Sequence, residues 1–437
     1  MDIDESVFFV PFFSRLDQLG IEYAVMRNGE CLPMTLNGSD LDLIVRKSTM
    51  TSVLQTISEI AKECGGGIIG QIIGPSFREL SVMGRVGNRW WGATIDLCGG
   101  DYLWEPINCS EILKWREMNN GGVWCLTEKC AHLLGCAKEM TMNRVLPVRY
   151  HESAVMAVSD GLASVFNDAF FAKFVMSSVL SGERPSFLKW SVIRLWLVVK
   201  GMFCNPLNLI RSFSIFYFSK IKRIIHPCGK MIAVLGTDGA GKSTIIKTII
   251  PLLSLPFHRS IVVHHLKPDF LPPLSRLRGV KPNPGSVCTM PHASKPSGIV
   301  GSLSRIVYLL CDYVLGYWFK VRIKLAKLPI GLWMFDRYAY DMMIDPRRFR
   351  INLPRWLIRW FIFFVPRPDT VLCLGGAPEV IYARKPEISL EEIKRQVAAL
   401  KKFCDENQRA VWIDTTKTIE ESANAALTAI LERIARR

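Results

Sequence analysis

The run Gly236-Thr237-Asp238-Gly239-Ala240-Gly241-Lys242-Ser243-Thr244 carries the residue types that hold a polyphosphate. Its glycines let backbone N–H groups close around a β-phosphate, Lys242 can reach the β- and γ-oxygens, and the Ser243 hydroxyl is a Mg²⁺ ligand. The run follows the apolar stretch Met231 to Leu235 and precedes helix-patterned residues, the strand–loop–helix setting that this spacing requires. The expectation is a site for ATP and Mg²⁺ built from Gly236, Thr237, Gly239, Ala240, Gly241, Lys242, Ser243 and Thr244.

A second constellation lies a hundred residues on. Asp336-Arg337-Tyr338 ends the apolar run Leu332 to Phe335, and Asp341 and Pro346-Arg347-Arg348 follow. A carboxylate at a strand end can hold the water shell of Mg²⁺, and an arginine beside it can neutralise charge on a transferring phosphoryl group. A third lies near the N-terminus, in Gly38-Ser39-Asp40-Leu41-Asp42-Leu43-Ile44-Val45. Side chains two apart on a strand share a face, so Asp40 and Asp42 pair, and Asp96, in Ala93 to Leu97, can add a carboxylate from a neighbouring strand. Three such groups can hold two Mg²⁺ ions for attack on an α-phosphate.

The loop GTDGAGKST, the Asp336-Arg337-Tyr338 triplet, and Pro368-Asp369 to Leu374 followed by Ala377-Pro378-Glu379-Val380 and Ala383-Arg384-Lys385 resemble thymidylate kinase and its relatives. The resemblance covers about residues 229–437. It implies that Asp238 contacts the acceptor, that Arg337 bridges donor and acceptor phosphates, and that Arg384 with Lys385 forms a basic lid over ATP. Gly375-Gly376 stands where those relatives often carry an acidic residue. The segment His265 to Ser297, with Lys267, His292, Pro268, Pro272, Pro273, Pro282, Pro284, Pro291 and Pro296, is read as an acceptor-binding loop. The acceptor therefore stays open between a nucleoside monophosphate such as dTMP and a sugar or lipid-linked glycan. An ATP-binding switch or scaffold stays open as well. The family likeness is compatible with a dimer.

The GSDLDL run resembles the nucleotidyltransferase superfamily that includes polymerase β, over about residues 18–100. There a Gly-Ser pair upstream grips the triphosphate, and Arg27-Asn28 occupies that place here. The whole arrangement resembles bifunctional proteins of bacterial surface-polysaccharide clusters.

Positioning these residues takes three zones. Residues 1–150 mix a helix near Ser6 to Leu19, strands near Tyr23 to Met26 and Leu41 to Val45, and a helix near Met50 to Cys64, the order of an α+β domain. Residues 151–228 are expected to be helical and basic. From Pro185 to Lys230 no Asp or Glu occurs, and Lys189, Arg194, Lys200, Arg211, Lys220, Lys222 and Arg223 alternate with aromatic residues. That composition fits either an anionic membrane surface or a linker packed between domains. Residues 229–437 place short apolar runs between helices, an α/β domain with a parallel sheet flanked by helices. Ser389 with Glu392 and Thr418 with Glu421 are capping-box pairs that open its last two helices.

The bulk composition agrees with folded domains. The chain has 437 residues, of which 49% are hydrophobic and 22% charged, enough for more than one core. Its 55 Lys and Arg against 39 Asp and Glu leave a formal charge of +16, which favours anionic partners. The cations are threaded through apolar helices and not grouped into a nucleic-acid module, which argues against nucleic acid. The acidic start lacks a secretory pattern. No stretch is expected to reach the roughly 18 uncharged residues that span a bilayer. Thirteen cysteines without small-domain spacing suit a reducing cytoplasm, and the spacings of Cys125, Cys130, His132 and Cys136 do not match common zinc sites. The expected location is cytoplasmic, with contact at the inner membrane face left open.

Overall fold

A computed structural model describes residues 2–100, 106–204, 206–257, 260–272, 297–327 and 330–435. Most of the expected acceptor loop, including Pro273, Pro282, Pro284, Pro291, His292 and Pro296, lies outside the described residues. The chain forms two compact units that divide near Lys222.

In the N-terminal unit the strands are β1 (Asp2–Ile3), β2 (Tyr23–Val25), β3 (Leu41–Val45), β4 (Gly66–Ile73), β5 (Phe77–Val86), β6 (Arg89–Cys98), β7 (Arg116–Met118) and β8 (Trp124–Leu126). They form a mixed sheet in the order β4-β5-β6-β3-β2-β8-β7, and β1 pairs with β6. Every residue of β3 is buried, because helices cover both faces of the sheet. On one face Leu41, Leu43 and Val45 meet the helix Ser6–Gln18, which turns Phe8, Phe9, Phe12, Phe13 and Leu16 inward. Phe8 stacks on Trp91 with ring centroids 4.9 Å apart, one of the aromatic contacts that anchor this helix. The helix Met50–Glu63 adds Val53, Ile57 and Ile60 at helical spacing to the same core.

On the other face Ala24, Ile44 and Cys98 meet a helical layer, which includes Glu128–Asn143, Val148–Ser159, Ala169–Ser181 and Phe187–Cys204. Leu133, Ala154, Val175, Ile193 and Leu197 all belong to this second core. The sequence zone 151–228 is therefore not separate from the first: its helices down to residue 204 complete the N-terminal unit. The change from sheet to covering helices comes earlier, after β8, with the helix Glu128–Asn143.

The C-terminal unit holds β9 (Lys230–Gly236), β10 (Ile261–His265), β11 (Leu332–Asp336), β12 (Thr370–Gly375) and β13 (Ala410–Asp414). These five strands pair in parallel in the order β10-β11-β9-β12-β13. Their near-continuous apolar runs follow from burial on both faces, as in β12, where all six residues are buried. The helices Leu390–Glu406 and Ile419–Ala435 begin where the capping boxes sit: Ser389 Oγ accepts from Glu392 N–H, and Thr418 exchanges hydrogen bonds with Glu421.

The helical run Ile299–Ala326 is, by length and composition, long and apolar enough to cross a membrane. Arg305, Asp312, Lys320, Arg322 and Lys324 interrupt it, so it does not contain the roughly 18 uncharged residues of the sequence expectation. In this fold Ile306, Tyr313, Val321 and Leu325 of that run pack on the sheet side of the unit. The buried Asp312 accepts hydrogen bonds from Lys267 and from the backbone N–H groups of Phe270 and Leu271. It ties the helix to the first turn of the proline-rich segment.

Candidate active site

Strand β9 is central, with β11 on one side and β12 on the other. Loops leaving its neighbours diverge there, so a crevice opens at the carboxyl ends of the strands. Register sets which side chains meet in it: Asp336 pairs with Val234, and Leu374 with Gly236. The phosphate loop thus begins at Gly236, two residues beyond the partner of Asp336 on β9, and the helix Lys242–Leu253 starts directly after Gly241.

Gly239 shows why the loop needs glycine. Its φ is +84°, and a Cβ there would lie 2.8 Å from the Ile381 carbonyl oxygen and 3.1 Å from Lys385 Cβ. Any side chain is therefore opposed by both backbone conformation and space. The same contact brings the end of the helix Pro378–Arg384 against the loop.

Lys242 is buried and its Nζ donates to the carbonyl oxygens of Gly236 (2.9 Å) and Thr237 (2.8 Å). Burial, and then the nearby Arg337 guanidinium, push its pKa down to about 8 against the attraction of Asp238, Asp341 and Asp336. Asp238 accepts from Arg337 and from Arg348, and lies 4.0 Å from Lys242 Nζ. Burial raises its pKa, but Arg337, Lys242 and Arg348 together outweigh burial and hold the carboxyl below its ordinary value.

Arg337 is only 6% exposed, and its other nitrogen lies 3.4 Å from the buried Asp341. Its backbone sits at φ +77°, a left-handed conformation costly for a non-glycine residue. The backbone N–H donates to the Val234 carbonyl, which pins this turn and aims the guanidinium back across β9. Burial pushes the Asp341 pKa up despite Arg337, Lys242 and Arg348.

Asp336 has one buried carboxylate oxygen, Oδ1, without a hydrogen-bond partner, while Oδ2 lies 3.7 Å from His265 Nδ1. Burial opposes ionisation, but His265, Lys242 and Arg337 keep the group below the ordinary carboxyl range. An ionised, buried, unshared oxygen is a donor that fits Mg²⁺ or its water shell. Ser243, in the first turn of the helix after the loop, is exposed and adds a hydroxyl of the right kind.

The crevice thus gathers Asp238, Lys242, Asp336 and Arg337. Arg384 and Lys385 are exposed, and they are engaged elsewhere: Arg384 donates to the Thr415 carbonyl at 2.8 Å, and Lys385 pairs with Glu387 at 3.0 Å. Sequence reasoning assigned no partner to Arg348, and the structure places it on Asp238. The Pro346-Arg347-Arg348 signal was visible, but the 110-residue separation concealed its target. Gly375 also has a physical reason, since a Cβ there would meet the Trp412 ring at 2.3 Å. Trp412 takes the space that a side chain after β12 would need.

In the N-terminal unit Asp42 and Asp96 stand opposite each other on β3 and β6. Asp42 is buried and accepts from Arg27. Burial, then Asp42, Glu79 and Asp40, raise the Asp96 pKa to about 7, with Lys138 opposing. Arg27, Asn28, Asp42, His132, Lys138 and Tyr150 line a cavity of about 620 Å³. Asp40 and Asp96 are close enough to sense each other's charge. Among the described residues, however, no three His, Cys, Asp or Glu gather closely enough to hold a metal. With Arg27 on Asp42 as well, these residues as arranged do not fit a pair of Mg²⁺ ions.

No protein-family model matches this chain. No curated protein matches it either. Among solved structures, thymidylate kinase from Ehrlichia chaffeensis matches 46% of this chain and 98% of its own, at 14% identity and a TM-score of 0.33. Strand order, the loop after β9 and the helix behind it give the C-terminal unit an α/β fold, a parallel P-loop sheet flanked by helices.

Proposed function

We propose that the C-terminal unit is an ATP-dependent phosphotransferase of thymidylate-kinase-like type. The observation that carries this reading is the Asp238–Arg337–Asp341 network beside Lys242, at the carboxyl ends of adjacent parallel strands. A structural role alone does not call for a left-handed arginine held between two carboxylates in a crevice. Backbone N–H groups of residues 236–244 would cradle the phosphates, and Lys242 would exchange its two carbonyl partners for phosphate oxygens. Arg337 and Arg348 supply positive charge where the transferring group becomes more anionic. Asp238 orients the acceptor, and Arg384 with Lys385 closes over the nucleotide. Ser243 and Asp336 are the residues that would hold Mg²⁺, which when bound neutralises phosphate charge.

The acceptor is a nucleoside monophosphate or a sugar or lipid-linked glycan. Following the labelled γ-phosphate of ATP into small-molecule and lipid fractions, with Lys242→Ala as the control, tests both parts at once. Label that appears only with the intact protein identifies the acceptor. ATP binding without transfer to any fraction supports instead a nucleotide-controlled switch or scaffold.

For the N-terminal unit, the adjacent Asp42 and Asp96 support a nucleotidyltransferase-like reading. Because the described carboxylates do not fit two metal ions, no nucleotidyl-transfer step is assigned to them. Release of pyrophosphate from nucleoside triphosphates, sensitive to Asp96→Asn, would restore the catalytic reading.

A further inference from the structure

The helices Phe187–Cys204 and Pro206–Ile225 expose apolar residues in an ordered way. In the first, Ile193 and Leu197 enter the core of the N-terminal unit. The exposed large apolar residues Leu188, Val192, Leu195, Val199 and Met202 recur every three or four positions, and Phe203 follows the last of them. At 100° per residue they fall on one stripe, on the side away from the buried pair. Phe203 is 84% exposed.

The second helix has no buried residue at all. Its exposed Leu207, Ile210, Tyr217, Phe218 and Ile221 again fall on one stripe, and Leu207 is 82% exposed. Arg211 and Lys222 project along one edge of that stripe and Lys220 along the other, by the same angular spacing. Lys220 Nζ also lies 4.0 Å from the centre of the Phe216 ring. A surface helix whose stripe is apolar and outward is the reverse of a soluble helix, where the stripe meets the core.

Charge identifies what covers these stripes. Between Pro185 and Lys230 there is no Asp or Glu, and although Lys200 pairs with Asp168 of the neighbouring helical layer, Arg211, Lys220 and Lys222 lie along the outward stripe. A second copy of this surface would bring like charges together, whereas an anionic bilayer supplies both the apolar depth and the opposite charge. We propose that the helices Phe187–Cys204 and Pro206–Ile225 dock on the surface of an anionic lipid bilayer, with the two stripes in the acyl boundary and the flanking cations among headgroups. This inference stands apart from the kinase reading, since it uses none of the phosphate-site residues.

Vesicle flotation with the full chain tests it, using phosphatidylcholine alone and phosphatidylcholine mixed with phosphatidylglycerol in equal parts. The intact protein is expected to float with the anionic vesicles, and to release as salt rises. The combined substitution Leu195→Glu, Val199→Glu and Phe218→Glu is expected to weaken binding roughly a hundredfold. Phe218→Ser alone, on a helix without buried residues, keeps the test open if the combined variant does not fold, and it should weaken binding measurably. Arg211→Gln with Lys222→Gln should remove the preference for anionic lipid. Failure of the intact protein to float overturns the proposal, as does unchanged binding by the folded variants. A dimer in the absence of lipid that the glutamate substitutions convert to monomer also overturns it, because the stripes would then meet a second copy.

Discussion

Two sites in this chain set an aspartate against an arginine in the same sheet neighbourhood, and they behave in opposite ways. In the C-terminal crevice Asp238 is shared by Arg337 and Arg348, with Lys242 4.0 Å away, so cations surround it and keep it ionised. In the N-terminal unit Asp42 has Arg27, but Asp96 across the strand faces Asp42, Glu79 and Asp40. There acid is in excess, and burial with these neighbours pushes the Asp96 pKa up to about 7. The difference teaches that a carboxylate–arginine pair has no fixed meaning. Burial and the remaining neighbours decide whether its carboxyl is held ionised or pushed toward protonation.

The largest expected effect is on activity. Lys242→Ala should lower γ-phosphoryl transfer by about a hundred- to a thousandfold or more while leaving the fold intact. Transfer of labelled phosphate measures it, and undiminished transfer would move the chemistry away from this crevice.

Next comes the contrast between the two arginines. Arg337 is buried between two carboxylates, so Arg337→Met should cost about 3–5 kcal/mol, the usual result of stranding buried charge. Urea unfolding of the C-terminal unit reads this directly.

The pH dependence of the two units should have opposite signs. Asp96 has its pKa pushed up to about 7 from the ordinary 3.8, so its stabilising protonation is fully present below about 4 and is lost as pH rises through 7. The loss amounts to a few kcal/mol by linkage, and Asp96→Asn should abolish it. Asp238 is shifted downward, so its contribution is present above the ordinary carboxyl pKa and disappears as pH falls below it. Unfolding midpoints of the N-terminal transition at pH 5 and pH 8 check the sign for Asp96, and those of the C-terminal transition at pH 5 and pH 3 check it for Asp238; a fall in the same direction for both would remove the contrast.

The smallest effect is expected from Arg27→Met. The Arg27 side chain is 49% exposed, so solvent screens its pair and the cost should stay under about 1 kcal/mol. Its informative readout is the Asp96 carboxyl, whose NMR titration should move to higher pH when Asp42 loses its partner. A cost as large as that of Arg337→Met would show that the two pairs are equivalent after all.

Much of the fold was legible because local chemistry and final burial agree. The strands β3, β9 and β11 lie where short apolar runs stand, within a residue at either end, and the helix starts at Ser389 and Thr418 follow their capping boxes. The zone boundary at residue 150 was less legible, since composition registers what a segment is made of and not which core it enters. Val175, Ile193 and Leu197 look like part of a basic linker until the sheet face they cover is known. The place of Asp312 was hidden for a related reason: charge counts along Ile299–Ala326 do not show that Asp312 is buried against Lys267.

By itself the sequence determined the phosphate loop, since backbone-cradling glycines, a lysine and a hydroxyl must stand at fixed spacing between a strand and a helix. It likewise determined the Asp336–Arg337 pair at the end of a buried strand. Only the tertiary structure decided that Arg337 and Arg348, 99 and 110 residues beyond Asp238, close on the same carboxylate, and that Arg27 neutralises one member of the N-terminal acidic pair. Strand order and register bring such distant groups together, and charge acts across space without regard to position along the chain.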